Sequence, residues 1–96
     1  MEKSKHIIAI PPGETIHELL DDREMTQKEF AIRMSMSEKY ASELINGKAA
    51  LTPQVAIDLE SVLGVEAVFW NNLESQYKEK LIRIEREKAI EAKKQV

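Results

Sequence analysis

The stretch closest to a catalytic metal site in this 96-residue chain is His17-Glu18-Leu19-Leu20-Asp21. It falls one residue short of H-E-x-x-H, in which two histidines a helical turn apart hold zinc and the glutamate serves as general base. Asp21 stands in place of the second histidine, Leu19 and Leu20 are needed for an apolar core, and no third ligand is evident. Asp21, Asp22 and Glu24 form an acidic cluster, but the sequence places no acid or base beside it in a recognisable pocket. The chain has no cysteine, which excludes disulfides, thiolate ligands and cysteine nucleophiles. No catalytic residue, metal or cofactor is expected, and the protein is not read as an enzyme.

A second set of side chains suits non-covalent chemistry. Gln27, Ser37, Glu38, Lys39, Ser42, Glu43, Asn46 and Lys48 crowd between Thr26 and Lys48. Amides, hydroxyls and ammonium groups donate to phosphates, and the same groups with carboxylates read base edges. The surrounding residues predict two short helices to carry them. Thr26-Gln27-Lys28-Glu29 reads as a capping box that opens a helix with Phe30, Ala31 and Met34 on its buried face. Ser35-Met36-Ser37 is a break, with Met36 turned to the core and Ser37 capping the next helix. That helix buries Ala41, Leu44 and Ile45, turns Glu38, Lys39, Ser42 and Glu43 outward, and ends at Asn46-Gly47, suited to a left-handed cap. Helix, turn and second helix are the arrangement that inserts a recognition helix into the major groove, and small Ala31 lets the two cross closely.

The rest of the chain reads as support. Residues 1–12 are an apolar leader ending in Pro11-Pro12, too short for a signal peptide. A first helix follows from Gly13 to about Arg23 with Ile16, Leu19 and Leu20 at helical spacing. Thr52-Pro53 is an N-cap with proline at the first helical position, and Ala56, Leu59, Val62 and Leu63 supply a buried stripe up to Gly64. From about Glu66 a long last helix packs through Phe69, Trp70, Leu73 and Tyr77. Residues 78–96 extend it beyond the domain of residues 13–77, and there Leu81, Ile82 and Ile84 lack a partner. Either the leader around Ile7–Ile10 covers them or another chain does. Ion pairing along this charged extension is expected between Arg83 and Glu87. The fold class expected is all-α, five helices with a long C-terminal one.

Charge argues against easy DNA binding. The net charge is −3. Residues 1–64 carry seven Lys/Arg against eleven Asp/Glu, and residues 65–96 seven against six. Affinity must come from locally placed cations and from two copies acting together, with weak non-specific binding and steep salt sensitivity expected. No apolar run approaches the length needed to span a bilayer, and a cytoplasmic location is expected.

The segment TQKEFAIRMSMSEKYASELINGK resembles the helix-turn-helix of the XRE and lambda-repressor-like superfamily. With PPGETIHELL before it and LTPQVAIDLESVLGVEAVFWNNLESQY after it, residues 11–77 are similar to the HigA/VapI group of antitoxin-like regulators. The resemblance implies a homodimer on a palindromic operator, with two recognition helices about 34 Å apart, and in many members a HigB/RelE-like toxin as partner. It implies phosphate contacts from Gln27, Ser37, Asn46 and Lys48 and base contacts from Glu38, Lys39, Ser42 and Glu43; the dimer or partner interface expected at Leu81, Ile82 and Ile84 comes instead from their lack of an apolar partner. Four residues depart from the family pattern: Ser35 where glycine is usual, Ala41 where a larger aliphatic residue is usual, and acidic Glu38 and Glu43 where glutamine or arginine is common. The acidic face also suits a different class, a toxin-binding module without strong DNA affinity. A leader of this kind further resembles the regulatory portion of peptidase-fusion relatives.

Overall fold

A computed structural model describes residues 8–94. Five helices follow in order: α1 (Gly13–Asp22), α2 (Gln27–Arg33), α3 (Glu38–Ile45), α4 (Pro53–Leu63) and α5 (Ala67–Lys94). Every described residue outside them is loop, turn or bend. The molecule measures 51 × 24 × 23 Å, because the 28-residue α5 runs on past the domain it packs against.

The expected caps start the helices. Thr26, Ser37 and Thr52 each sit in extended conformation and accept an amide three residues on: Glu29 at 3.0 Å, Tyr40 at 3.0 Å and Val55 at 3.2 Å. Only half of the capping box at α2 forms. The Glu29 carboxylate does not reach back to Thr26 but binds Arg33, one turn along, at 2.8 and 3.1 Å. A charged partner at i+4 offers the carboxylate a stronger bond than a neutral amide does.

The first three helices all end in the same way. The amide two residues beyond the cap turns back to the last helical turn: Met25 to Leu20, Met36 to Ala31 and Lys48 to Glu43. This is the Schellman closure, and it needs a left-handed residue in the middle. Glu24 (φ 52°), Ser35 (φ 57°) and Gly47 (φ 77°) fill that position. The departure at Ser35 is thus a serine held in the left-handed region, which costs an L-residue about 1–2 kcal/mol. Replacing Ser35 by glycine is expected to raise stability by roughly 0.5–1 kcal/mol, after the extra freedom glycine gives the unfolded chain is discounted. A urea unfolding midpoint that falls instead would mean the serine side chain stabilises the turn.

The core is made by Ile16, Leu20, Phe30, Ala31, Met34, Ala41, Leu44, Ile45, Leu51, Val55, Ala56, Leu59, Leu63 and Trp70, with Leu19, Met25, Met36, Val62 and Leu73 at its edge. Long-range polar ties join the elements. Arg23 donates to the Leu63 carbonyl at 2.6 Å, closing the C-terminal end of α4, and Glu60 accepts the Ala67 amide at 3.1 Å, opening α5. Trp70 is fully buried and donates its indole N–H to the Val65 carbonyl at 3.1 Å.

Two expectations for α5 are corrected. Phe69 is 41% exposed, not core: it lies edge-on to Trp70 with ring centroids 5.3 Å apart, one residue off the buried arc of the helix. Arg83 pairs with Glu79 rather than Glu87, at 2.7 Å. Glutamate N-terminal to arginine at this spacing is the favoured order, since it also suits the helix dipole.

Leu81 and Ile82 are exposed and Ile84 is half-buried. The described part of the leader does not cover them. Ile8 and Ile10 are themselves exposed, and Ile10 and Pro11 border a small cleft with Leu73 and Tyr77, nearer the domain. Ile7 lies outside the described residues. No described helix is long and apolar enough to cross a membrane.

Candidate nucleic-acid interface

Lys39, Ser42, Glu43 and Asn46 recur at i, i+3, i+4 and i+7, so they share one face of α3 opposite the buried Ala41, Leu44 and Ile45. Glu38 and Lys39 are exposed in its first turn, and Ser42 and Glu43 are half-buried further along. Gln27 opens α2, half-buried and with no hydrogen-bond partner for its amide among the described residues. Ser37 accepts the Tyr40 amide, which leaves its hydroxyl proton free to donate. Gln27 and Ser37 therefore lie at the starts of the two helices that frame the turn, Lys39 and Ser42 on α3, and Asn46 and Lys48 just past its end.

Asn46 is arranged differently from the expectation of a free phosphate donor. Its amide nitrogen donates to the Ser42 carbonyl at 2.9 Å and to the Ser42 hydroxyl oxygen at 3.2 Å. A carbonyl only accepts, so this fixes the amide with its oxygen outward. As it stands Asn46 presents an acceptor, and it must rotate to donate to a phosphate. Ser42 gains by the same contact. Its oxygen accepts one bond there, which leaves the hydroxyl proton to donate and one lone pair to accept.

Lys48 owes its place to the closure of α3. At the ends of α1 and α2 the residue two beyond the cap is a methionine, Met25 or Met36, which packs on the core. The same position after α3 is a lysine, exposed, with its amide held to the Glu43 carbonyl at 2.7 Å. One backbone motif thus buries an apolar residue twice and displays a cation once. Close packing sets the position of this end. A side chain at Gly13 would collide with the Ile45 carbonyl, and one at Gly47 would come within 2.8 Å of Pro11 and 3.6 Å of the Tyr77 hydroxyl.

On the first helix His17 sits 3.6 Å from Asp21, and no group of three or more His, Cys, Asp or Glu side chains placed to hold a metal occurs among the described residues. The charge is divided between the two ends of the molecule. Residues 8–77 carry five Lys/Arg against twelve Asp/Glu, whereas residues 78–94 carry seven against four.

Sequence reasoning missed several supports of this surface: the Gly13 approach, the Arg23–Leu63 bond, and Glu74, whose buried carboxylate accepts the Leu51 amide. Each joins residues distant in sequence. The only signal for Gly13 was a glycine at the first position of a helix, where it is not needed for a turn.

A helix presented in this way after a tight turn, with polar residues outward and its buried face on the core, defines a helix-turn-helix protein of the DNA-binding kind. The helix-turn-helix family model HTH_3 matches residues 16–70, and the chain belongs to that family of transcriptional regulators. It is 42% identical over 66 residues to the uncharacterized HTH-type transcriptional regulator YddM of Escherichia coli K12, covering 69% of this chain and 70% of that one. Among solved structures it is similar to a HigA-family addiction module antidote protein of Coxiella burnetii. There the TM-score is 0.75 and identity 27%, covering 88% of this chain and 92% of that one. The Pseudomonas aeruginosa antitoxin HigA, solved with the higBA promoter, has the same fold, with a TM-score of 0.78 at 24% identity, over 88% and 94% of the two chains. The five helices are thus a lambda-repressor-like domain of the HigA kind, extended by a long last helix.

Proposed function

We propose that the protein is a sequence-specific repressor of the HigA-like antitoxin type, acting in the cytoplasm as a homodimer on a palindromic operator and neutralising a HigB/RelE-like toxin. The observation that carries the DNA reading is the outward face of α3, where Lys39 and Ser42 stand free of core duties. The antitoxin HigA with the higBA promoter, of the same fold, supports it. Gln27, Ser37 and Lys48 set the register on phosphates, with Asn46 joining after its amide rotates. Lys39, Ser42, Glu38 and Glu43 read bases, the glutamates by accepting from cytosine N4.

The test is binding of the purified protein to DNA from upstream of its own gene, beside a scrambled duplex, at two salt concentrations. Preference for the native fragment that fades with salt is the expected result. Lys39→Ala is expected to lose about 1–3 kcal/mol of discrimination at one base position. Lys48→Ala is expected to weaken both duplexes alike and lower the salt slope by about one. If Lys39→Ala left specificity intact, the base-reading assignment would be wrong.

The acid excess of residues 8–77 favours a second reading, a module that holds a basic toxin and contacts DNA weakly. Absence of binding to either duplex at low salt, together with capture of a toxin encoded by an adjacent gene, would establish that reading instead.

A further inference from the structure

Glu74 is the only buried charged side chain among the described residues, 8% exposed on the inner face of α5. Burying a carboxylate is costly unless it is bonded. One oxygen accepts the Leu51 amide at 3.2 Å, and the same oxygen lies 3.5 Å from the Lys78 ammonium. Leu51 precedes the Thr52 cap, so its amide is not one of the unpaired amides in the first turn of α4. It is a loop amide, taken from water because the Leu51 side chain is in the core.

The loop it belongs to is the one that displays Lys48. The Ala49 amide is the last in it to bond back to α3, reaching the Glu43 carbonyl at 3.1 Å. Beyond that the hold comes from α5. Tyr77, one turn along from Glu74, lies against Gly47, and Glu74 holds Leu51. The long helix therefore touches the segment on both sides of Lys48.

We propose that Glu74 is a positioning residue for DNA recognition: its carboxylate ties the Lys48 loop to α5, so that the lysine meets a phosphate in the register set by α3. This rests on the DNA reading above. It makes α5 part of the binding surface without touching DNA.

Three variants test it: Glu74→Gln, which keeps an acceptor oxygen in the same volume, Glu74→Met, which removes it, and Val62→Ala, a core-edge truncation on α4 that reports general loss of stability. Affinity is measured for native and scrambled duplexes at a temperature where circular dichroism shows each variant folded, beside amide exchange at residues 48–51. Glu74→Met is expected to weaken both duplexes about tenfold and speed exchange at Leu51. Glu74→Gln should stay within about threefold of the native protein. Val62→Ala should lower the melting temperature and leave affinity unchanged. A folded Glu74→Met that binds like the native protein overturns the proposal. So does a Glu74→Gln as weak as Glu74→Met, or a Val62→Ala that loses affinity in step with its stability. A native protein that binds no duplex removes the functional reading itself, and is recognised by the failure of every variant and the parent alike.

Discussion

Gly13→Ala is expected to destabilise the domain by about 3 kcal/mol, the upper end of what overpacking costs. Helix propensity alone says the reverse, since alanine in a helix is favoured over glycine by about 0.8–1 kcal/mol. The disagreement in sign makes the experiment decisive. A Cβ at this position would overlap the Ile45 carbonyl carbon and oxygen, which are backbone and cannot rotate aside as a flexible side chain would. Gly13 is buried at the start of α1, and Ile45 ends the recognition helix. The chain must either move the two helices apart, opening the core around Ile16 and Leu44, or abandon the first turn of α1. A urea titration of the variant beside Glu14→Ala, an exposed neighbour, measures the difference. A midpoint equal to or above the native one would mean that the contact relaxes at little cost.

The second large effect concerns assembly. If the protein is the proposed homodimer, Leu81→Asp with Ile84→Asp is expected to convert it to a monomer and to lower operator affinity by about two orders of magnitude or more, because the second half-site then no longer benefits from the first. Leu81 is 41% exposed, on the same arc of α5 as Trp70 but past the end of the domain, and Ile84 continues that line. Leu81 is exposed and Ile84 only half-buried, and this apolar arc is the interface we propose for the dimer. Neither residue lies in the domain core, so the variant should keep its helical content and melting temperature. Sedimentation equilibrium and fluorescence anisotropy on one palindromic duplex give both readouts. A dimer that survives both aspartates places the interface elsewhere. Loss of the dimer without loss of operator affinity would separate assembly from DNA reading.

The sequence made legible whatever is written within about four residues. Thr26, Ser37 and Thr52 are caps in any context, Gly47 and Gly64 end helices in the left-handed conformation, and the buried sets of α2 and α3 follow from spacing, while in α4 Val55 is buried and the expected Val62 only half-buried. What escaped belongs to choices between partners or to contacts across the fold. Glu29 had two local partners and took the charged one. Arg83 had glutamates on both sides and took the one toward the N-terminus. The ending at Glu24 was obscured because that residue is not glycine, so the left-handed turn accompanies the packing of Met25 on the core, whereas at Ser35 the usual glycine of the family pattern pointed to it. Glu74 carries no local signal that sets it apart. Its role depends on Leu51, 23 residues away, and no periodicity reports that. The recognition face was placed on α3 by spacing, but the direction of the Asn46 amide depended on a bond to Ser42 that spacing does not reveal.

The negative charge of the domain that carries α3 has a consequence for occupancy in a genome. A regulator competes against a vast excess of wrong sites, and what it needs is a large ratio of right to wrong binding rather than a low dissociation constant. Twelve acids against five cations over residues 8–77 weaken every encounter with unspecified duplex, since that background is almost wholly electrostatic. Contacts to bases are affected less, because they form only at short range and only on the correct sequence. Few copies of such a protein would be held idle along the chromosome, and a small change in its concentration would be felt directly at the operator.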